Sequence, residues 1–273
     1  MKKICVFFLI VLISCNDRQT IIKIKGSDTE VNLAVNLAEQ FHGIKPEYTI
    51  SVSGGGSGMG IASILKKQAD IANSSRPLTE EEKLLFKKMG IELKIFVFAE
   101  DATAIIVHEN FPVDTIDVPA LSKVMSGEYK SWLPVTGKDL PITIYGRQSN
   151  SGTHSFIKKK LGIAFSREAK EMNGNAQIME SIKQDESGIG YIGAGYISSE
   201  TKGVKILRIA ERPGTAAVSP LDKSSIKAQR YFFQRPLYQF IPLSSWQKVQ
   251  TFLQFEKSDE GKAIIQKEGY YIL

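Results

Sequence analysis

Apolar and polar positions along this chain alternate between two periods, and the alternation lays out a series of elements. Ile21 to Lys25 alternate as a strand does, and Val31, Leu33, Ala34, Leu37, Ala38 and Phe41 then fall on one helical face that ends at His42-Gly43. The grammar repeats. Tyr48–Ser53 reads as a strand, Met59–Gln68 as a helix with Ile61, Ile64 and Leu65 on one side, and Asp70–Ala72 as a short strand. A helix over Thr79–Met89 has Thr79 as N-cap and Glu82 in the capping-box position. Further strands are predicted at Ile95–Phe98 and Ala104–Val107, around Glu100-Asp101, and at Thr143–Tyr145, Gly188–Ile192, Lys205–Leu207 and Leu237–Ile241. Helices over Ser244–Phe255 and Asp259–Glu268 close the chain, and this mixture of strands and helices predicts an α/β fold.

Three of the strand-to-helix junctions share a chemistry. Gly26-Ser27-Asp28-Thr29, Gly54-Gly55-Gly56-Ser57-Gly58 and Arg147-Gln148-Ser149-Asn150-Ser151-Gly152-Thr153 each place small hydroxyl residues and glycine where a helix begins. A helix start carries free N–H donors and partial positive charge, and α/β sheets bind ligands at that end of their strands. Three such loops can converge on one small anion. Arg147 strengthens the third, because a guanidinium gives paired hydrogen bonds to an oxyanion.

Each loop also has a plainer reading. Ser27 and Thr29 read alone as caps of the first helix, Ser57 as the N-cap of the second, and Ser151 with Thr153 as a capping loop. Ser74-Ser75-Arg76 reads alone as a strand end with a surface arginine before Pro77. The glycine triplet is not a Walker A loop, since no Gly-Lys-Ser/Thr follows, and Met59 stands where a nucleophile elbow needs its last glycine. Gly188, Gly190 and Gly193 meet GxGxxG spacing but fall within the predicted strand, so we read them as packing residues. A hydrolytic reading would make His154 the base for Ser57 or Ser151 with Asp101 behind it; no nucleophile motif supports it.

Composition narrows the class. The three histidines, His42, His108 and His154, have no metal-ligand spacing, so no zinc or other metal site is expected. The formal net charge of +6 is spread along the chain without a Lys/Arg stripe, which argues against nucleic acid. At the N-terminus, Lys2 and Lys3 precede an apolar run, Ile4 to Ile13, too short to span a bilayer and suited to a signal peptide. Leu12-Ile13-Ser14-Cys15 resembles a bacterial lipobox, which implies cleavage after residue 14 and a diacylated, palmitate-type anchor on Cys15. Cleavage would also remove Cys5 and leave no disulfide framework.

Taken together, the loops resemble the phosphate-binding proteins of bacterial Pst phosphate ABC transporters, from about Ile21 to the C-terminus. The resemblance rests on Gly26-Ser27-Asp28-Thr29, Gly56-Ser57-Gly58, Asp70 to Leu78, Arg147 with Ser151-Gly152-Thr153, and Gly188 to Gly193. It implies a two-lobed periplasmic-binding-protein type II fold with the ligand in the cleft between the lobes. The expected division is a leader at 1–14, a tether at 15–20, one lobe from 21–103 plus 241–273, and a second from 104–240. It implies a monomeric, membrane-anchored extracytoplasmic receptor, not an enzyme, with no cofactor. Its ligand would be inorganic phosphate and its partner the permease of an ABC transporter. By position, Ser27, Thr29, the Glu30 amide, Ser57, the Gly58 amide, Arg147, Ser151, the Gly152 amide and Thr153 would hold the anion. One position departs: several members carry aspartate where this chain has Ser75, and that carboxylate accepts the proton of phosphate and repels sulfate. Asp101 is the expected substitute acceptor. Sulfate, molybdate or a phosphate ester therefore remains an alternative ligand.

Overall fold

The computed structural model describes residues 19–197 and 201–272. The leader and Cys15 lie outside the described residues. The elements run β1 (Thr20–Gly26), α1 (Val31–Ile44), β2 (Tyr48–Ser53), α2 (Ser57–Leu65), β3 (Ile71–Ser74), α3 (Glu80–Lys88), β4 (Leu93–Ala102) and β5 (Ala104–His108). They continue with β6 (Thr115–Asp117), α4 (Val118–Ser126), α5 (Leu133–Thr136), β7 (Thr143–Arg147), α6 (Gly152–Leu161), β8 (Lys170–Met172), α7 (Asn175–Lys183) and β9 (Gly188–Ile192). The last are β10 (Val204–Ile206), β11 (Arg208–Ala210), α8 (Lys223–Lys227), β12 (Gln234–Pro242), α9 (Trp246–Lys257) and α10 (Asp259–Lys267).

Two five-stranded sheets organise two α/β lobes, in the order β2-β1-β3-β12-β4 and β10-β5-β9-β7-β8. In the first, β1 pairs in parallel with β2 and β3, while β12 runs antiparallel to β3 and β4. Strands β3, β5 and β9 are buried along their whole length. That suits the near-continuous apolar runs of β5 and β9, while β3 reads Ile-Ala-Asn-Ser and buries the polar Asn73 and Ser74. In β9 the glycines serve packing: a Cβ on Gly190 would stand 2.5 Å from Ile178 Cγ2, so its absence lets α7 lie close to the sheet.

The chain crosses between sheets twice at one place. It passes from β4 to β5 through Thr103, whose N–H donates to the Phe233 carbonyl oxygen at 3.0 Å, beside the entry to β12. The expectation put the return at 240/241. Every residue of β12 from Gln234 onward already pairs with β4 in the first sheet, so the return falls at Phe233-Gln234. Periodicity alone could not find it, because Gln234, Arg235 and Pro236 interrupt the apolar pattern.

Local signals resolve as expected at α3. Thr79 Oγ1 accepts from the Glu82 N–H at 3.2 Å and Glu82 Oε2 accepts from the Thr79 N–H at 2.8 Å, completing the capping box. Arg76 adds a two-pronged grip on Glu82, 2.7 Å at each oxygen, so it braces this helix start.

Candidate functional site

The three loops meet between the sheets. Sequence allowed each to be a simple cap, and two are not. The N-cap positions of α1 and α2 are Glu30 and Gly56, and neither makes a side-chain cap. The hydroxyls of Thr29 and Ser57 thereby point elsewhere, while the Ser27 hydroxyl accepts from the Thr29 N–H within its own loop at 3.3 Å. Ser27 Oγ donates to Ser75 Oγ at 3.1 Å, and Ser57 Oγ accepts from the Ser75 N–H at 3.1 Å. Thr29 Oγ1 lies 2.7 Å from Thr153 Oγ1, joining the β1–α1 loop to the start of α6. Ser151 does cap α6, accepting from the His154 N–H at 3.3 Å. All of Ser27, Thr29, Glu30, Ser57, Ser75, Asp101, Arg147, Ser151 and Thr153 are buried.

Glycine makes this convergence possible. A Cβ on Gly152 would lie 2.3 Å from Ser57 Oγ and 2.5 Å from Ser75 Oγ, so only glycine lets α6 approach the first lobe this closely. Gly193 does the same beneath Thr29, where a Cβ would meet Thr29 Cγ2 at 2.6 Å.

Two arginines occupy the cleft, and the sequence reading found one. Arg147 is 2 % exposed; its Nη1 donates to Asp28 Oδ2 at 3.2 Å and its Nη2 to the Asn173 carbonyl oxygen at 3.0 Å. Only Nε is left buried without a partner. Burial pushes the Arg147 guanidinium down from its ordinary pKa, and Asp28 pulls it back up. Asp28 Oδ2 also accepts from the Asn175 N–H at 2.8 Å and Nδ2 at 2.6 Å, so one carboxylate from the first lobe ties down two elements of the second.

Arg235 is the residue that sequence reasoning missed. It stands at the head of β12 directly opposite Asp101 in the β4 register. Its Nη2 reaches Asp101 Oδ2 at 2.7 Å, Thr153 Oγ1 at 3.0 Å and Thr29 Oγ1 at 3.4 Å, and its Nη1 donates to the Ser75 carbonyl oxygen at 3.2 Å. A buried arginine touching hydroxyls from both sheets lies at the centre of the cage. A signal was available: Arg235 is the one charged residue of the segment Gln234–Pro242, and a charge in a buried strand requires a partner.

Two expectations change as a result. Asp101 is not a free acceptor. Its Oδ2 is held by Arg235 and by Thr103 Oγ1 at 2.9 Å, and its Oδ1 accepts from the Ala194 N–H at 2.8 Å. The Gly58 amide is likewise committed, donating to the Asn150 carbonyl oxygen across the cleft at 3.0 Å. His154 is no base for a serine. Its Nδ1 lies 2.9 Å from the Arg147 carbonyl oxygen, its ring packs on Phe165, and burial holds its pKa below the ordinary value. Among the described residues, no group of three His, Cys, Asp or Glu side chains is arranged to hold a metal.

Glu30 is fully buried, and neither carboxyl oxygen has a hydrogen-bond partner. Burial pushes its pKa up to about 8, with Asp101 adding to the rise and the Ser27 hydroxyl and Arg235 opposing it.

Two α/β lobes joined by two crossing strands, with a donor-lined cleft between them, define the periplasmic-binding-protein class of receptors. The chain belongs to the PBP superfamily: the model of the PBP superfamily domain matches residues 16–260. It is similar to the phosphate-binding protein PstS of Staphylococcus aureus, 28% identical over 253 residues that cover 90% of this chain and 76% of that protein. The PstS of Pseudomonas aeruginosa is also 28% identical, over 266 residues covering 90% and 80%. Among solved structures, a putative phosphate ABC transporter substrate-binding protein with bound phosphate from Clostridium perfringens superposes with a TM-score of 0.82 at 24% identity, covering 93% of this chain and 99% of that one. An ABC-type phosphate transport receptor from Vibrio cholerae gives 0.72 at 26% identity, with 92% and 100% covered.

Proposed function

We propose that this protein is an extracytoplasmic receptor that binds inorganic phosphate between its lobes and delivers it to an ABC permease. One observation carries the reading. The Ser27, Thr29, Ser57 and Ser75 hydroxyls of the first lobe meet Gly152 and Thr153 of the second around the Arg235 guanidinium. Such a ring of aligned donors suits a small oxyanion and performs no chemistry on it. The matched relatives bear phosphate-binding names, which supports the same choice. Arg147 Nε and the Glu30 amide complete the proposed contacts, with Ser151 and the Gly152 amide at the start of α6. The proposed lobes divide at Thr103 and at Phe233-Gln234.

The anchor belongs to the proposal as well. The lipobox-like Leu12-Ile13-Ser14-Cys15 supports a lipid on Cys15 that holds a monomeric receptor at the membrane. No helix among the described residues is long and apolar enough to cross a membrane. Metabolic labelling with a fatty acid tests this: label on the wild-type chain and none on Cys15→Ser is expected, and equal labelling of both contradicts it.

A second reading, a receptor with broader oxyanion tolerance, is favoured by Asp101. Its engagement with Arg235 leaves that carboxylate committed rather than free to face and repel an unprotonated anion. Thermal melts separate the two readings. A ligand at one hundred times its Kd stabilises by about 2.7 kcal/mol. A rise with phosphate and none with sulfate supports the first reading; equal rises support the second, and no rise with either contradicts both.

A further inference from the structure

The Glu30 carboxyl lies beside the cage and enters no ion pair among the described residues, although the Ser27 hydroxyl and Arg235 are near enough to favour its charged form. Glu30 contributes a carboxyl that is 0 % exposed and has no hydrogen-bond partner at either oxygen. Its surroundings are the cage itself. Ser27, which bonds to Ser75, lies on its own loop; Arg235 faces it from β12 and Asp101 from β4. The Tyr196 phenol approaches from the turn after β9 and the Tyr270 phenol from the C-terminal segment, and burial keeps both in the neutral form. The fixed charges nearby are already matched, Arg235 by Asp101 and Arg147 by Asp28. An added unpaired carboxylate would be strongly disfavoured here, and a neutral acid would not.

Resting on the reading of this cleft as an anion site, we propose that the Glu30 carboxyl serves as a neutral acid whose O–H donates to the bound anion, so that binding weakens when Glu30 ionises. A neutral acid adds a donor to the cage without adding negative charge. Once ionised it presents only acceptors to the acceptor oxygens of the ligand, an arrangement that forms no bond and repels. Its pKa, pushed up to about 8 by burial, places the onset in a range where inorganic phosphate is already a dianion. A bound anion raises the proton affinity of the carboxyl further, so binding at the onset draws a proton from solution.

The test is calorimetric titration of the full chain, purified in detergent and stripped of ligand, with inorganic phosphate between about pH 8 and about pH 9.5. Above the onset the wild type loses about tenfold in affinity per pH unit. Glu30→Gln, which keeps a donor and cannot ionise, shows a much shallower slope. Parallel slopes in the two proteins overturn the proposal and leave the anion site standing. Wild-type titrations in two buffers of different ionisation enthalpy provide a check that needs no variant: uptake of about half a proton per phosphate at the onset, approaching about one proton a pH unit above it, is expected, and none overturns the proposal. A folded wild type that binds no phosphate at neutral pH removes the anion site, and this proposal with it.

Discussion

The Arg235 guanidinium holds Asp101 through two donors on one oxygen, Nη2 at 2.7 Å and Nε at 3.0 Å from Oδ2. Both side chains are buried, and the pair sits where the two crossing strands run side by side. Removing one partner strands the other charge, which costs about 3–5 kcal/mol in buried pairs. Arg235→Gln should therefore lower stability by that order and also weaken phosphate binding. The double variant Arg235→Gln/Asp101→Asn should regain part of the stability but not the binding. Urea unfolding of the two single variants and the double variant checks this, and strict additivity of the losses contradicts it.

Thr29 and Thr153 touch across the cleft at 2.7 Å, and Arg235 Nη2 reaches both. Thr29→Val or Thr153→Val keeps the shape and removes a hydroxyl. Each should cost about 0.5–1.5 kcal/mol of binding, seen as roughly threefold to tenfold weaker phosphate affinity with little change in melting temperature. The two effects should not add, because the hydroxyls share partners.

Gly152 tests closure. A Cβ there would meet Ser57 Oγ at 2.3 Å and Ser75 Oγ at 2.5 Å, atoms that belong to the other lobe. Gly152→Ala should spare each lobe and overpack only their contact, at about 1–3 kcal/mol, giving roughly tenfold to hundredfold weaker binding. Small-angle scattering with and without phosphate should show less compaction than in the wild type.

Away from the cleft, Glu256 is buried beneath the first sheet. Its Oε1 accepts from Gln239 Nε2 at 3.0 Å, and its Oε2 has no partner. Burial pushes its pKa up to about 8 from the ordinary 4.5. A folded value above the unfolded one means that the folded protein holds the proton more tightly. Its contribution to stability is therefore complete below about 4.5 and is lost as pH rises towards 8. Glu256→Gln should be more stable than the wild type at pH 8, with the advantage shrinking towards pH 5; chemical denaturation at both values checks it. The comparison isolates Glu256, because Glu30 titrates alike in both proteins.

The loops were legible in the sequence because their grammar is local. A strand, a run of Gly, Ser and Thr, and an amphipathic helix fall within a few residues of one another, as at Gly26–Val31 and Arg147–Thr153. The Thr79–Glu82 capping box was readable for the same reason. What stayed hidden is long-range. Arg235 meets Asp101 across 134 positions, and no periodic pattern encodes such a pair. Asp101 consequently looked like a spare acceptor, and Arg147 looked free although Asp28 and Asn173 already claim it. Strands β6 and β11 escaped notice because each is three residues long and lies outside the two main sheets.

The central claim is that the hydroxyls and guanidinium groups gathered here form one site for phosphate. The most direct measurement is calorimetric titration of the protein, unfolded and refolded to strip bound anion, with phosphate and then with sulfate near neutral pH. The account predicts one phosphate bound per chain, and the sulfate titration decides between the phosphate-selective and the broader oxyanion reading. Heat from neither anion, with the protein folded, would contradict it and return these loops to packing and capping.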